Sequence, residues 1–597
     1  MTQPDDAFDY VIIGAGSAGS VLARRLSEDG GASVLVLEAG GSDLSVIVAM
    51  PAALTMPMNT RRFNWGMVTE PEPGLDGRRI NLPRGKGMGG SSSINGMCYV
   101  RGNPMDYELW SAKGAMGWHW ANVLPYFQKM ENVQGGGPYR GTGGPLRVTR
   151  GTEANPLYHA FVDAAVAAGY ARSANMNEVQ HEGFGPMEMT VGDGIRASAA
   201  RAYLRPALKN PKVRLLTGAV VKRILFDGTT AVGVEYLRHG RVETSQARRE
   251  VILSAGSIMS PVILKRSGIG PAQELAEHGI PVLKALAGVG ENLMDHMELY
   301  VQYACTQPVS LFPSMSLLGK AAIGMRWLAT RKGLGATNHF ETGGHIRSRA
   351  GLAYPDIQFH FLPLAISYDG KSLAKGHGFQ VHVGTKRSKS RGWVRLRDAD
   401  AQSLPRVQFN YMTHDEDWLE MRACIRLSRE IFAQAPMAQY AGTELAPGRE
   451  AQSDAALDDF IRRKGESAYH PCGTCRMGID PLAVVDPECR VIGVQNLRVV
   501  DASIMPQATA GDLNGPTIML AERAADIIRG KLLPAADDAP IMAAHDWPNH
   551  QRSAAICKDY ADDRDQLRAI LLSEMAMQTR PVDQSADTAR SVTPAAG

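Results

Sequence analysis

Residues 8–19 read Phe8-Asp9-Tyr10-Val11-Ile12-Ile13-Gly14-Ala15-Gly16-Ser17-Ala18-Gly19, an apolar run ending in G-x-G-x-x-G. Phe8–Ile13 has the length and β-branched content of a buried strand. Ser20–Ser27 continues as a helix, with Val21, Leu22 and Leu26 on one face and Arg24 and Arg25 outward. Ser33–Leu37 is a second apolar strand, and Glu38 stands at its end, nineteen positions after Gly19. Strand, glycine turn, helix and strand form a βαβ unit that opens an α/β domain. In that setting Gly14 permits the tight turn, Gly16 lets the backbone approach a pyrophosphate, and Gly19 lets helix and strand pack closely. The helix N-terminus offers free N–H groups and a partial positive charge to a diphosphate. Glu38 can accept hydrogen bonds from ribose hydroxyls, and its charge repels a 2′-phosphate. A glycine turn without a ligand leaves the strand, helix and acid around it unexplained. The motif alone leaves FAD and NAD both open.

Working outward, the 597 residues are 44% hydrophobic and 21% charged, close to soluble globular averages. That length predicts two or more domains and several sizeable cores. Lys and Arg exceed Asp and Glu by only 3, so no electrostatic footprint for nucleic acid is present. The seven cysteines are few and odd in number, which reads as a reduced intracellular setting. The acidic Met1–Asp6 start lacks the pattern of a signal peptide, and no apolar run of about 18 residues is visible. A cytoplasmic location is expected, with peripheral attachment to the inner face of the cell membrane as its one lipid contact.

Further strands are predicted at Val213–Leu215, Gly233–Tyr236, Glu250–Leu253 and Leu497–Val500, with helices near 258–268 and over Pro516–Arg529. The middle differs in character. It carries strand-like Asp356–Phe361, Phe379–Val383 and Gly392–Arg397, and helical Glu416–Phe432 and Asp454–Lys464. The expected organisation is a discontinuous cofactor domain (1–155, 205–300 and 480–535) with a substrate domain (156–204 and 301–479) inserted into it. Residues 536–597 form a tail with one amphipathic helix over Asp562–Met577 and a disordered end.

A second glycine-rich segment, Pro83-Arg84-Gly85-Lys86-Gly87-Met88-Gly89-Gly90-Ser91-Ser92-Ser93-Ile94-Asn95-Gly96-Met97, exposes backbone N–H groups with little side-chain bulk. Such a run suits a flat cofactor or its phosphates. Together with Ser254–Pro261, Ser267–Pro271, Tyr469–Gly478, Val499–Pro506 and Asn514–Met519, these segments resemble the glucose–methanol–choline family of FAD oxidoreductases. The resemblance runs from about residue 8 to 531. Ser92–Asn103, Asn338–Gly344, His377–Gly384 and Asn410–Met412 make the chain most similar to members that oxidise choline.

The resemblance implies an α/β and α+β architecture: a Rossmann-like FAD-binding domain with an inserted antiparallel-sheet substrate domain. It implies FAD held by Gly14, Gly16, Ser17, Ala18, Gly19, Glu38, Ala39, Arg84, Gly89, Gly90, Ser91, Asn95, Gly96, Met97, Val221, Asp501, Ala502, Pro516 and Thr517. Some members tether FAD through a His in the Gly-Ser loop. Ile94 stands at that position, which implies a non-covalent flavin.

Alcohol oxidation removes a hydride from carbon and a proton from oxygen. Flavin N5 accepts the first, and an imidazole suits the second. By resemblance His470 is that base, and Asn514 supports the substrate oxygen; its plainer reading is a helix N-cap. A choline-like cation calls for a carboxylate and aromatic faces. Glu341 is the expected carboxylate and Tyr469 and Trp65 the expected walls. No metal site is expected, because Cys472 and Cys475 lack further ligands and read as a buried turn. His296 reads as structural or near the flavin. Choline oxidation to betaine aldehyde, and of its hydrate to betaine, is the leading expectation, with electrons passing to a quinone or other respiratory acceptor. The competing readings are oxidation of an uncharged alcohol or polyol, a hydroxynitrile-lyase-type flavoprotein, and a non-catalytic FAD-binding protein.

Overall fold

The computed structural model describes residues 7–366, 376–544, 546–552 and 558–578. The last nineteen residues, where a disordered end is expected, lie outside these. Two seven-stranded sheets organise the rest. In chain order their strands are β1 (Ala7–Ile13), β2 (Val34–Glu38), β3 (Gly183–Pro186), β4 (Val213–Thr217), β5 (Val220–Asp227), β6 (Thr230–Arg238) and β7 (Arg241–Leu253). Then come β8 (Met297–Cys305), β9 (Thr342–Ile346), β10 (Ile357–Leu362), β11 (Gly378–Thr385), β12 (Ala441–Ala446), β13 (Glu466–Ser467) and β14 (Leu497–Val499). The helices that matter below are α1 (Ser17–Ser27), α2 (Gly256–Arg266), α3 (Leu317–Thr330), α4 (Asp415–Phe432), α5 (Asn514–Arg529) and α6 (Arg564–Gln578).

The first sheet has the order β4-β2-β1-β7-β6-β5, with β14 on the free side of β7. Its parallel centre pairs Ile12 with Val36 on one side and Ile252 on the other. β2 is buried at every position, as a strand covered on both faces must be. β7 changes character along its length: its charged first half pairs antiparallel with β6, and Val251–Leu253 enter the core.

The second sheet is antiparallel, in the order β12-β8-β11-β10-β9-β3, with β13 beside β8. The boundary expected at residue 300 falls inside β8. Met297 and Glu298 already pair with Ser467 and Gly384 of this sheet. β8, β10 and β11 alternate strictly, so one face carries Leu299, Val301, Phe359, Phe361, Val381 and Val383 into a core shared with α4. The other face carries Glu298, Tyr300, Gln302, Gln358, His360, Gln380 and His382. That polar face is what the fold turns toward the site.

Two helix starts are brought together. α1 packs along α5, and the buried Arg25 of α1 pairs with Glu522 of α5 at 3.0 Å. This lays the beginning of α5 beside the beginning of α1. The α5 helix includes Asn514 as its first residue, with Leu513 at the cap, so Asn514 is not the N-cap of the predicted helix. Beyond residue 531 the chain returns across the molecule. α6 places Glu574 on the Ala353 amide at 2.8 Å and on Arg387 at 2.9 Å, and Arg568 on Glu108 at 3.0 Å.

Candidate active site

One large cavity joins the two sheets, running from Gly14 at the end of β1 to His382 in β11. Its first half is built by backbone. Gly16 caps α1 with no side chain on the free N–H groups, and the first turn carries no acid. Gly19 is required by packing: a Cβ there would lie 1.9 Å from the Gly14 carbonyl. Gly90, at φ +53°, brings the second glycine segment against the first; a Cβ on it would lie 2.7 Å from Gly16 Cα. The two glycine motifs, far apart in sequence, therefore form one continuous backbone wall.

Glu38 closes this half. Its carboxylate accepts from the amides of Ala15 at 3.0 Å, Gly40 at 2.7 Å and Gly87 at 2.9 Å. Burial pushes its pKa up, although these three donors pull the other way. A carboxylate offers about four acceptor positions, so it braces the turn and retains one for a ribose hydroxyl. Asp501 plays a similar part at the start of α2. It accepts from the Gly256 amide at 2.9 Å and the Ser503 amide at 2.8 Å, and burial pushes it up too. The open helix start, the bulk-free wall and the ribose acceptor fit a flavin dinucleotide.

Of the predicted cofactor residues, Gly14, Gly16, Ser17, Ala18, Glu38, Ala39, Arg84, Gly90, Ser91, Asn95, Gly96, Met97, Val221, Asp501, Ala502 and Thr517 line the cavity. Gly19, Gly89 and Pro516 do not; Gly19 serves helix–strand packing instead. Ile94 lies on the wall and packs with Val48 and Phe63.

The second half of the cavity carries the titratable groups. His470 sits in a loop that pairs with the segment before β8: Met294 and Cys472 exchange two amide hydrogen bonds of 3.0 Å. Asp295 accepts from the His470 amide at 2.7 Å and from the hydroxyls of Ser467 and Tyr411. Tyr469 takes a left-handed conformation at φ +65°, rare for a bulky residue, and that turn aims His470. The imidazole of His470 has two partners. Its Nδ1 lies 3.0 Å from Nδ1 of His296, and its Nε2 lies 3.3 Å from Asp512. Asp512 also reaches His360 at 3.5 Å and Gln358 at 3.2 Å. Burial raises its pKa, but His360 and His470 prevail and hold it well below the carboxylate range. Burial holds His296 well below the usual imidazole range, with Lys386 and His470 adding to the effect. Asn514 is beside them, its Oδ1 accepting from Ser17 Oγ at 2.8 Å.

The polar sheet face completes the wall. Register aligns Tyr300 of β8, His382 of β11 and His360 of β10 in one row across three strands. The rings of Tyr300 and His382 lie 3.9 Å apart, and Phe340 meets His382 edge-on at 4.9 Å. Glu298, two residues along β8 from Tyr300, faces His382 Nδ1 at 3.6 Å. Burial lowers the pKa of His382, against the pull of Glu298.

The carboxylate expected to meet the substrate does not line this cavity. Glu341 is buried outside the cavity, accepting from the Glu153 amide at 2.6 Å and the Thr337 hydroxyl at 2.7 Å. The carboxylate that the polar sheet face brings to the cavity wall is Glu298. Glu341→Gln is therefore expected to leave the KM for substrate within about twofold while costing about 1–3 kcal/mol of stability, the range for a buried charge-assisted bond. Steady-state kinetics and thermal unfolding check both halves. Trp65 lines the cavity, but the Lys86 ammonium already lies 4.8 Å over its ring. Tyr469 lines it as expected.

Sequence reasoning missed Asp512, His360, His382 and Glu298. The signals were the Gln/His alternation in β10 and β11 and the spacing of Asp512 from Asn514. Cys472 and Cys475 are both buried free thiols. Cys98, His360 and Asp512 bring one ligand atom each within 4.8 Å of one another. Burial, with Asp512 beside it, pushes the Cys98 thiol well above its usual range, so it stands protonated.

Known proteins are similar to this chain. Oxygen-dependent choline dehydrogenases of Brucella ovis and Rhizobium johnstonii are each 55% identical over 526 residues, covering 88% of this chain and 96% of theirs. The solved pyridoxine 4-oxidase from Mesorbium loti is 32% identical with a TM-score of 0.80, covering 87% of this chain and 99% of its own. A formate oxidase of Aspergillus oryzae is 25% identical at a TM-score of 0.83, over 89% and 99%. The GMC oxidoreductase family models match residues 8–298 and 388–521, which together exceed half of the chain. With both glycine segments and the His470 loop falling inside the matched regions, the chain belongs to the GMC oxidoreductase family.

Proposed function

We propose that this chain is an FAD-dependent dehydrogenase that oxidises choline to betaine aldehyde, and the aldehyde hydrate on to betaine. The observation that carries the reading is Glu298, a carboxylate set among Tyr300, Phe340 and His382 in the cavity that holds His470. A quaternary ammonium cannot donate a hydrogen bond, so it is recognised by charge and aromatic faces. The 55% identity to proteins named choline dehydrogenase supports the same substrate.

When bound, FAD supplies the hydride acceptor. His470 takes the proton of the substrate hydroxyl. With its Nδ1–H donating to His296, Nε2 is the nitrogen that receives that proton, and Asp512, 3.3 Å away, offsets the charge when the ring becomes imidazolium. His296, held neutral, fixes the ring from the other side. Asn514 is oriented by Ser17 through its Oδ1 and presents its amide N–H groups to the developing alkoxide. Ile94 offers the flavin no nucleophile, so FAD is held non-covalently.

The acceptor has two readings. The named relatives are oxygen-dependent. A quinone is favoured here by partly exposed apolar Leu54, Met58 and Trp65 on the cavity wall. Anaerobic mixing with choline tests the main reading: rapid bleaching of the oxidised flavin band supports it. Bleaching only by an uncharged alcohol overturns the substrate, and no bleaching by any alcohol brings the lyase forward. Re-oxidation by a short-chain quinone at least tenfold faster than by oxygen supports the quinone.

Asp512→Asn is expected to slow flavin reduction about 10–100-fold. Stopped-flow anaerobic reduction by choline checks it. Because the folded pKa of Asp512 is depressed, its contribution to stability is present above the unfolded value and lost as pH falls through the folded one. The variant is accordingly less stable than the parent near neutral pH, and the difference shrinks in acid.

A further inference from the structure

Helix α3 is built the wrong way round for a water-soluble surface. Of its fourteen residues only Trp327 is buried. Leu317 is 87% exposed, Leu318 85%, Met325 67% and Leu328 53%. At about 100° per residue these four fall within an arc of about 100°, filled in by Ala321. The arc faces away from the protein, because Trp327, which donates to the Gly194 carbonyl at 2.6 Å, lies on the other side. Lys320 sits about 60° beyond one edge of the arc and Arg326 about 80° beyond the other. An ordinary surface helix turns its apolar stripe inward and its charges outward. This one presents an apolar stripe to the outside with a cation on each flank.

The charge pattern extends past the helix. Residues 299–340 contain no Asp or Glu, while Lys320, Arg326, Arg331 and Lys332 all fall within them. The turn Gly333–Ala336, which carries the exposed Leu334, packs both on α3 and on the turn Pro51–Ala53. That second turn runs directly into Leu54, Thr55 and Met58 on the cavity wall. The helix is thus joined to the cavity wall through two packed turns.

We propose that α3 docks this protein on the surface of an anionic lipid bilayer. No described helix is long and apolar enough to cross a membrane, so α3 lies in the interface with Leu317, Leu318, Met325 and Leu328 in the acyl boundary. Lys320 and Arg326 extend sideways to the headgroup phosphates. The charge selects this occupant over the alternatives. A second copy would set the cations of one helix against those of the other. The chain's own residues 579–597 carry only Val582 and Val592 as large apolar groups and cannot cover four. The docking does not depend on the substrate, so its test is separate from the choline reading, and it brings the cavity wall to the phase in which a quinone dissolves.

The test is co-sedimentation of the holoenzyme with vesicles of phosphatidylcholine alone or with about one-third phosphatidylglycerol. Binding at least about tenfold stronger on the anionic vesicles is expected. The triple variant Leu317→Gln, Leu318→Gln, Met325→Gln is expected to lose at least about tenfold of that binding while keeping its flavin and its rate with a soluble acceptor. The double variant Lys320→Gln, Arg326→Gln is expected to lose the preference for anionic lipid, about fivefold per cation. Absence of binding to either vesicle overturns the proposal, as does equal binding by the triple variant. A dimer of the parent that the triple variant dissolves also overturns it, in favour of a second copy on this face.

Discussion

Anaerobic flavin reduction by choline is expected to run about 10³–10⁴-fold slower in His470→Ala than in the parent, the upper range for loss of a positioned general base. The expectation rests on how completely the fold commits this one ring. Its backbone amide is fixed by Asp295 at 2.7 Å, its Nδ1 by His296 and its Nε2 by Asp512. A side chain held at three points is either structural or poised for a reaction, and the proposal of the second rests on its place on the cavity wall. Removal leaves Asp512 with one imidazole partner, His360, so His470→Gln serves as the control that keeps a hydrogen-bonding group. Both variants are expected to bind FAD, because His470 holds none of the backbone wall. A fall of less than tenfold would assign the base to another group, and His360, sharing Asp512, is the one the geometry offers.

Glu298→Gln is the second large effect. The kcat/KM for choline is expected to fall about 10²–10³-fold, the range for removing one partner of a desolvated charge pair. For 3,3-dimethylbutan-1-ol, in which carbon replaces the ammonium nitrogen, it should change by less than about threefold. Equal losses for the two alcohols would make Glu298 a structural residue and remove the choline assignment. Acid pH offers an independent check in the parent. His382 is held below the usual imidazole range by burial, so at neutral pH it stands uncharged beside Glu298. As pH falls toward that depressed value His382 becomes a cation and competes for the carboxylate. The KM for choline, and not that for the neutral alcohol, therefore rises in acid. In Glu298→Gln this rise is absent.

Much of the fold was legible because it rests on local pattern. The βαβ unit needs only a strand, a glycine turn and a helix within about forty residues, and the observed β1, α1 and β2 lie within three residues of the predicted ends. α4 and the helix Asp454–Lys464 were likewise visible, each with periodic apolar positions. α3 was not. A helix whose apolar stripe faces outward has no core to announce it, and Leu-Leu-Gly-Lys-Ala-Ala reads as featureless until its exposure is known. β8 and β9 were also missed, since Thr342–Ile346 carries two glycines and β8 mixes large polar with apolar residues.

The site divides along the same line. By itself the sequence determined the α/β class, the glycine segments that receive a dinucleotide, and the His470 and Asn514 motifs. Each is a short stretch whose chemistry is contained in its own residues. Only the tertiary structure decided which of two carboxylates lines the cavity. Glu341 and Glu298 are equally plausible as letters, but one is satisfied by a neighbouring amide and hydroxyl and the other is left on the wall by the phase of a strand. It also brought Asp512, His360 and His470 together, from the α5 entry, β10 and a loop held by Asp295. The reason is physical: a side chain's charge is set by what surrounds it, and those surroundings come from segments distant in the chain.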